Sequence, residues 1–367
     1  MKSIYIKNFK NIKELTFDKL GKVNLIVGKN SVGKSVLLEA ISVYLANGSE
    51  DWLRELLTSR GEGLSSRPSS QDTEEANTQH YLSLFTGREE NYSKDFKIVI
   101  GETIDDEDAV RINQVYIAEN NSVKDDMLMR RTVLSAEELT DDDSIQVVGR
   151  GLKVVSGKRH AIIHYGRQRR FPVLEDKLRF QYVHTVDFNT ERNSSLFDDV
   201  SLLPEERYII KALQIINPQI ERINFLNNGE ISRDGRKERI PVVALKDDNR
   251  KYLLSSMGDG INRVLTIILA MLNCKDGVLL LDEFETGLHY SVQGELWKII
   301  FLLAEELNVQ VFATSHSTDC IDSFAEINKQ GVGMLFRLER RKGDVVAVSY
   351  DNSDELKFAA TNNIEMR

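Results

Sequence analysis

Hydrophobic and polar positions follow two regimes along this chain. Over much of its length the apolar runs are continuous or helical in period. From Phe96 to Ile163 they are short and broken by acidic turns. Lys2-Ser3-Ile4-Tyr5-Ile6-Lys7 alternates as a half-buried strand does. Val23-Asn24-Leu25-Ile26-Val27 is nearly continuous, the pattern of a strand covered on both faces. After a short polar loop, Val36 to Leu45 is apolar and uninterrupted and predicts a helix. From Phe96 to Ile163 the runs are strand-like: Phe96 to Ile100, Gln114 to Ile117, Ile145 to Val148 and Ala161 to Ile163. Turns such as Asp105-Asp106-Glu107-Asp108 and Asp141-Asp142-Asp143 separate them, which predicts an antiparallel β region inserted in an α/β domain. Leu56 to Gln79 is poor in apolar residues and rich in turn formers, and reads as a long surface loop. Residues 204–226 read as a helix, with a start at Leu203-Pro204-Glu205-Glu206 and helical spacing at Ile209, Leu213, Ile216 and Ile220. From 277 onward the order is strand, helix, strand, helix, strand, as in a parallel sheet. The chain carries no internal repeat and no heptad array long enough for a coiled-coil arm.

The polar loop between the first buried strand and its helix is Gly28-Lys29-Asn30-Ser31-Val32-Gly33-Lys34-Ser35. It is a complete G-x-x-x-x-G-K-S phosphate-binding loop, or Walker A motif. Strand before and helix after are the context that such a loop needs. Its glycines let successive N–H groups turn toward a polyphosphate at a helix N-terminus. Lys34 would reach the β- and γ-phosphates, and Ser35 would place its hydroxyl on a magnesium ion.

Three later segments bring further chemistry. Gly277-Val278-Leu279-Leu280-Leu281-Asp282-Glu283 is a buried-strand pattern that ends in two acids. In open α/β sheets ligands sit at such carboxyl ends. Asp282 is expected to hold magnesium, and Glu283 to orient or activate the attacking water. Val309 to Ser317 is another such strand, whose exit carries His316, a candidate partner of the γ-phosphate or the attacking water. Leu254-Ser255-Ser256-Met257-Gly258-Asp259-Gly260 precedes an apolar helical pattern. Ser256, Gly258 and Gly260 there read either as a second anion site or as an ordinary N-cap with a glycine turn. A second anion site is most economically used in trans, across a two-fold dimer with the nucleotide between protomers.

Composition changes this picture little. Hydrophobic content of 41% and charged content of 29% are those of a globular protein. Val264 to Leu272 is too short for a membrane span, and Met1-Lys2-Ser3-Ile4 leads directly into a strand with no signal-peptide pattern; a cytoplasmic protein without membrane contact is expected. Cys274 and Cys320 have no metal spacing and suit a reducing compartment. A net charge of −9 argues against broad nucleic-acid binding. Arg150 to Arg170 nevertheless carries seven Lys/Arg residues and no acids. It reads as a nucleic-acid phosphate contact, a solvated hairpin or a surface for an acidic partner.

Taken in order, Asn8-Phe9-Lys10-Asn11, the Gly28–Ser35 loop, Ser256-Met257-Gly258-Asp259-Gly260, Leu281 to His289 and Ala313-Thr314-Ser315-His316-Ser317 resemble the motifs of a prokaryotic ABC-type ATPase head, of the SMC, RecF and OLD kind. More closely, the chain resembles AAA-type ATP-binding proteins that lack a coiled coil. The resemblance implies an α/β P-loop NTPase fold with a mixed sheet, an inserted antiparallel β region and a helical signature lobe. It divides the chain into an ATPase lobe at 1–95, a β insertion at 96–185 and a second ATPase lobe at 186–367. It implies ATP and Mg2+ as ligands, slow ATP hydrolysis and a homodimer in the ATP state. Asp282 and Glu283 match the family's Walker B, His316 its switch histidine, and Ser256, Gly258 and Gly260 its signature, here interrupted by Met257 and Asp259. Glu285, Gly287 and His289 match its loop after Walker B, a dimer contact. Its Q-loop glutamine is either Gln168 or Gln181. OLD-type relatives add a Toprim nuclease, for which Ser317 to Arg367 is too short. An ATP-gated switch with a separate nuclease or other effector, as in antiphage systems, is therefore expected. The alternative is a RecF- or SMC-like repair ATPase that binds DNA itself.

Overall fold

A computed structural model describes residues 1–63, 71–120, 131–139, 145–166, 177–185, 189–231, 237–328 and 332–350. The elements run in the order β1 (Ile4–Phe9), β2 (Ile12–Phe17), β3 (Val23–Gly28), α1 (Lys34–Leu45), α2 (Glu50–Ser59) and α3 (Gln71–Leu82). Next come β4 (Lys97–Gly101), β5 (Val110–Asn120), β6 (Arg131–Leu134), β7 (Ile145–Ser156), β8 (Arg159–His164) and β9 (Phe180–Val183). Then follow α4 (Thr190–Val200), α5 (Glu206–Leu213), β10 (Ile220–Ile231), β11 (Lys237–Leu245), β12 (Lys251–Leu253) and α6 (Asp259–Leu272). The chain closes with β13 (Val278–Leu281), α7 (Tyr290–Glu306), β14 (Gln310–Ser315), α8 (Thr318–Ile327), β15 (Gly333–Arg341) and β16 (Asp344–Tyr350). None of the described helices is long and apolar enough to cross a membrane.

These elements form two compact units. The first comprises Met1–Leu20, Glu39–Lys177 and Arg340–Ala347; the second comprises Gly21–Leu38, Leu178–Glu339 and Val348–Arg367. In the first, β2-β1-β4-β5-β7-β8 form one sheet, with β6 on β5, and every pairing is antiparallel. The antiparallel run expected from 96 to 163 is there, and β1 and β2 extend its edge. Alternation places Ile98, Ile100, Ile112, Leu152 and Val154 in the core.

In the second unit the order is β15-β3-β14-β13-β9. β3 pairs in parallel with β14 and β15, and β13 pairs in parallel with β14 and β9. The continuous apolar runs behave as predicted: β3 and β13 are buried at every position. Asn24 is the polar exception in β3. Its Oδ1 accepts from Gly21 N–H at 2.8 Å, and its Nδ2 donates to the Gly21 and Val311 carbonyls at 3.0 and 3.1 Å, which pins β3 against β14. α6 and α7 supply the core, with Leu265, Ile268, Leu296, Trp297 and Ile300 fully buried.

Two expectations are corrected. The long surface loop predicted at 56–79 contains the last turn of α2 and most of α3, residues 64–70 lying outside the described set. Ser49 caps α2 by accepting from Trp52 N–H, and Leu53, Leu56 and Leu57 bury its apolar stripe. α3 carries few apolar residues but seats Tyr81, and its buried Asn77 donates to the Tyr165 carbonyl at 2.8 Å. The helix predicted over 204–226 stops at Leu213, and Ile220 begins strand β10. Pro218 explains the break: it has no N–H and disfavours helical backbone at Asn217.

Candidate functional site

The loop from Gly28 to Ser35 leaves the end of β3 and opens α1. Lys29, Asn30 and Ser31 are exposed, whereas Val32, Gly33 and Lys34 are buried. A Cβ on Gly28 would lie 2.4 Å from the Leu338 carbonyl oxygen of β15, and its φ is +148°, so only glycine fits. Gly33 and Ser31 also have positive φ, at 124° and 62°, and roll the loop back over the helix start. Lys34 Nζ donates to the Gly28 and Lys29 carbonyls at 2.7 and 3.1 Å. Burial lowers its pKa, opposed by the charges of Glu285, Glu283 and Asp282.

The ends of β13 and β14 meet this loop. Asp282 is 6% exposed. Its Oδ1 accepts from Ser35 Oγ at 3.0 Å and from Thr314 Oγ1 at 2.7 Å, and Thr185 Oγ1 approaches Oδ2 at 3.5 Å. The Thr314 hydroxyl also accepts from the Glu283 N–H at 2.8 Å. Glu283 is half-buried with φ of +48°, and its Oε2 accepts from Thr286 Oγ1 at 3.2 Å. Glu285 Oε1 accepts from the His316 N–H at 2.8 Å and pairs with His316 Nδ1 at 3.0 Å, while the imidazole stays 46% exposed.

The predicted cluster is therefore assembled: Lys34, Ser35, Asp282, Glu283 and His316 lie at the carboxyl ends of three neighbouring parallel strands. Ser35 and Asp282 offer paired hard oxygens, the donor set that suits magnesium. A loop whose entry at Gly28 admits only glycine, and the buried, carbonyl-bonded Lys34, fit a polyphosphate. The sequence reading did not single out Thr314 within its motif, and it missed Arg263 altogether. Arg263, 8% exposed on α6, donates to the carbonyls of His184 (2.7 Å), Asp282 (2.7 Å) and Glu283 (3.1 Å). A lone cation in the first turns of a mainly apolar helix was its only signal.

Ser256, Gly258 and Gly260 lie at the start of α6. Ser256 Oγ donates to the Leu253 carbonyl at 2.7 Å. Gly258 has φ of +101°, faces open space and begins the helix without a side-chain cap. A Cβ on Gly260 would meet the Gly287 carbonyl at 2.7 Å. Of the two glutamine candidates, Gln168 lies outside the described residues, and Gln181 accepts from Arg192 at 2.9 Å. In the basic stretch Arg150 is paired with Glu90 at 2.9 Å and Glu74 at 3.7 Å; Lys153, Lys158 and Arg159 are exposed, and Arg167, Arg169 and Arg170 lie outside the described residues.

The chain is similar to several known proteins. The family described as "AAA domain, putative AbiEii toxin, Type IV TA system" matches residues 23–322. An ATP/GTP phosphatase of Helicobacter pylori is 25% identical over 346 residues, spanning 90% of this chain and 89% of its own. The DNA replication and repair protein RecF of Bacillus cytotoxicus is 22% identical, over 87% of this chain and 92% of its own. An SMC head solved in complex with the C-winged helix domain of ScpA covers 97% of this chain and 99% of its own, with a TM-score of 0.50 at 14% identity. That last likeness is one of fold.

Proposed function

The chain belongs to this AAA-domain family of SMC- and RecF-like P-loop ATPases, and we propose that it hydrolyses ATP slowly as a switch that closes into a homodimer. The observation that carries the reading is the Asp282 carboxylate shared by Ser35 and Thr314, which ties the phosphate loop to the acidic strand end. Lys34 would exchange its two loop carbonyls for the β- and γ-phosphates, the ammonium gaining charged partners. Ser35 and Asp282 would hold magnesium, which when bound offsets the charge of the phosphates. Glu283 is held at its backbone by Thr314 and at its carboxylate by Thr286, and so is a fixed acceptor for a proton of the attacking water. His316 would hydrogen-bond the terminal phosphate.

The uncapped start of α6, with Gly258 facing open space, supports a role in trans on the nucleotide of a second copy. A separate effector polypeptide, a nuclease by analogy with antiphage complexes, would carry the output. The family description, which names a toxin of a toxin–antitoxin system, is compatible with such a division of labour.

The test is Glu283→Gln. Turnover should fall by about 10²-fold or more, with ATP still bound and a stable ATP-dependent dimer visible by light scattering. An unchanged rate would remove Glu283 from the chemistry. A monomer with and without Mg-ATP would remove the trans arrangement.

A further inference from the structure

We propose that Glu285 is a positioning residue for His316: it fixes the imidazole through Nδ1 and thereby presents Nε2 to the terminal phosphate. This rests on the reading of His316 given above. Glu285 lies two residues beyond Glu283, in the turn that follows β13. Its side chain is 9% exposed. One carboxylate oxygen, Oε1, takes both the backbone N–H of His316 and its ring Nδ1.

The chemistry of that contact sets the ring. An ionised carboxylate only accepts hydrogen bonds, so Nδ1 must carry the proton. In the neutral ring Nε2 is then the lone-pair nitrogen, an acceptor that can take a proton of the attacking water but cannot donate to a phosphate oxygen. In the charged ring both nitrogens donate, and Nε2 is the one left to donate to the terminal phosphate. Holding the main-chain N–H and the ring on one oxygen restricts the backbone and the χ angles together.

A second observation sets Glu285 apart from a plain turn cap. Its other oxygen, Oε2, is buried without a hydrogen-bond partner among the described residues. Leaving a buried carboxylate oxygen without a donor is costly, and a backbone cap alone would be met as well by a neutral side chain. The charge has a use in this place, because Glu285 heads the acids that act on the Lys34 ammonium. Glu285 is thus a third carboxylate of the site, whose Oε1 holds the histidine at the end of β14 and whose charge also acts on the phosphate-loop lysine.

The experiment is 15N-histidine NMR of the full-length protein, with the His316 signal assigned among the six histidines by its loss in His316→Gln, together with steady-state ATPase kinetics. The wild-type ring should be protonated on Nδ1 without nucleotide. Glu285→Ala should lose that preference and lower kcat about tenfold or more, short of the roughly 10²–10⁴-fold that a positioned acid–base group itself contributes, while KM for ATP changes less than about threefold. Glu285→Gln keeps an acceptor oxygen and should retain the tautomer and much of kcat. A wild-type ring protonated only on Nε2 would overturn the proposal. So would a Glu285→Ala ring unchanged from wild type, even if dimer formation were lost. If the tautomer responds as expected but His316→Ala turns over at the wild-type rate, the phosphate-sensing role of His316 falls, while its orientation by Glu285 stands.

Discussion

Thr314→Val removes one hydroxyl and little volume from the point where two strand ends meet. Thr314 is fully buried, so no cavity opens and the loss is polar. Its hydroxyl donates to Asp282 Oδ1 at 2.7 Å and accepts from the Glu283 N–H at 2.8 Å. A hydrogen bond to a charged group contributes roughly 1.5–3 kcal/mol, and a buried N–H left without an acceptor costs roughly 1–3 kcal/mol. The two share one hydroxyl and do not simply add, so about 2–4 kcal/mol of stability should be lost. For a unit of this size that corresponds to a fall in Tm of about 5–15 °C. The effect on turnover should exceed the effect on binding. Lys34 and the loop amides keep their geometry, so KM for ATP should change little. Glu283 sits at φ +48° and loses the acceptor that holds its N–H there. A displacement of about 1 Å at its carboxylate is worth about 10²-fold in kcat. The assay is urea unfolding beside steady-state ATPase kinetics, with Thr314→Ser as the variant that keeps the hydroxyl. A Thr314→Val protein as stable and as active as wild type would refute the claim that this hydroxyl ties Asp282 to Glu283.

Three further outcomes follow from the same geometry. Arg263→Lys keeps a charge but not the fork that spans the His184, Asp282 and Glu283 carbonyls; it should cost about 1–3 kcal/mol of stability and depress kcat, and thermal melts equal to wild type would contradict this. Burial depresses the pKa of Lys34 below its ordinary value of 10.5, so between the depressed value and 10.5 the unfolded chain binds more protons and stability rises with pH. Lys34→Met should therefore raise the Tm of the nucleotide-free protein near neutral pH, with the gain shrinking as pH approaches 10.5, and should abolish thermal stabilisation by Mg-ATP; a melt lowered by the substitution would reject the burial cost. Cys274 and Cys320 are fully buried, and burial pushes the Cys274 thiol up to about 12 and the Cys320 thiol higher still; a thiol reagent should label neither in the native protein and both in denaturant, and rapid native labelling would show the core to be open.

How much of this was legible depended on whether the signal was local. The Gly28–Ser35 loop is a contiguous pattern with its strand and helix beside it, and β13 declared itself by four consecutive apolar residues before Asp282. The helix over 204–226 failed because helical spacing at Ile209, Leu213, Ile216 and Ile220 was allowed to run across Asn217-Pro218, where the backbone term outweighs side-chain periodicity. α3 was hidden for a different reason. Its polar face looks like loop, and its place is set by a few buried side chains, Asn77 and Tyr81 among them, whose partners lie far along the chain.

The same distinction governs the site itself. Asp282, Glu283 and His316 could be named because parallel strands deliver whatever follows them to one edge of the sheet. What arranges them could not, since it depends on register between segments far apart in sequence. β13 pairs with β14 so that Leu281 faces Ala313. That register sets Asp282 beside Thr314, one residue further on each strand, and leaves Glu285 within reach of His316. Slipping the pairing by one residue would turn Thr314 to the opposite face of the sheet and separate both pairs. Arg263 then fixes from α6 the carbonyls of the strand end that the register has brought there. The motif residues specify which groups can act on a phosphate. The pairing of β13 with β14, and the arginine behind it, decide whether those groups converge.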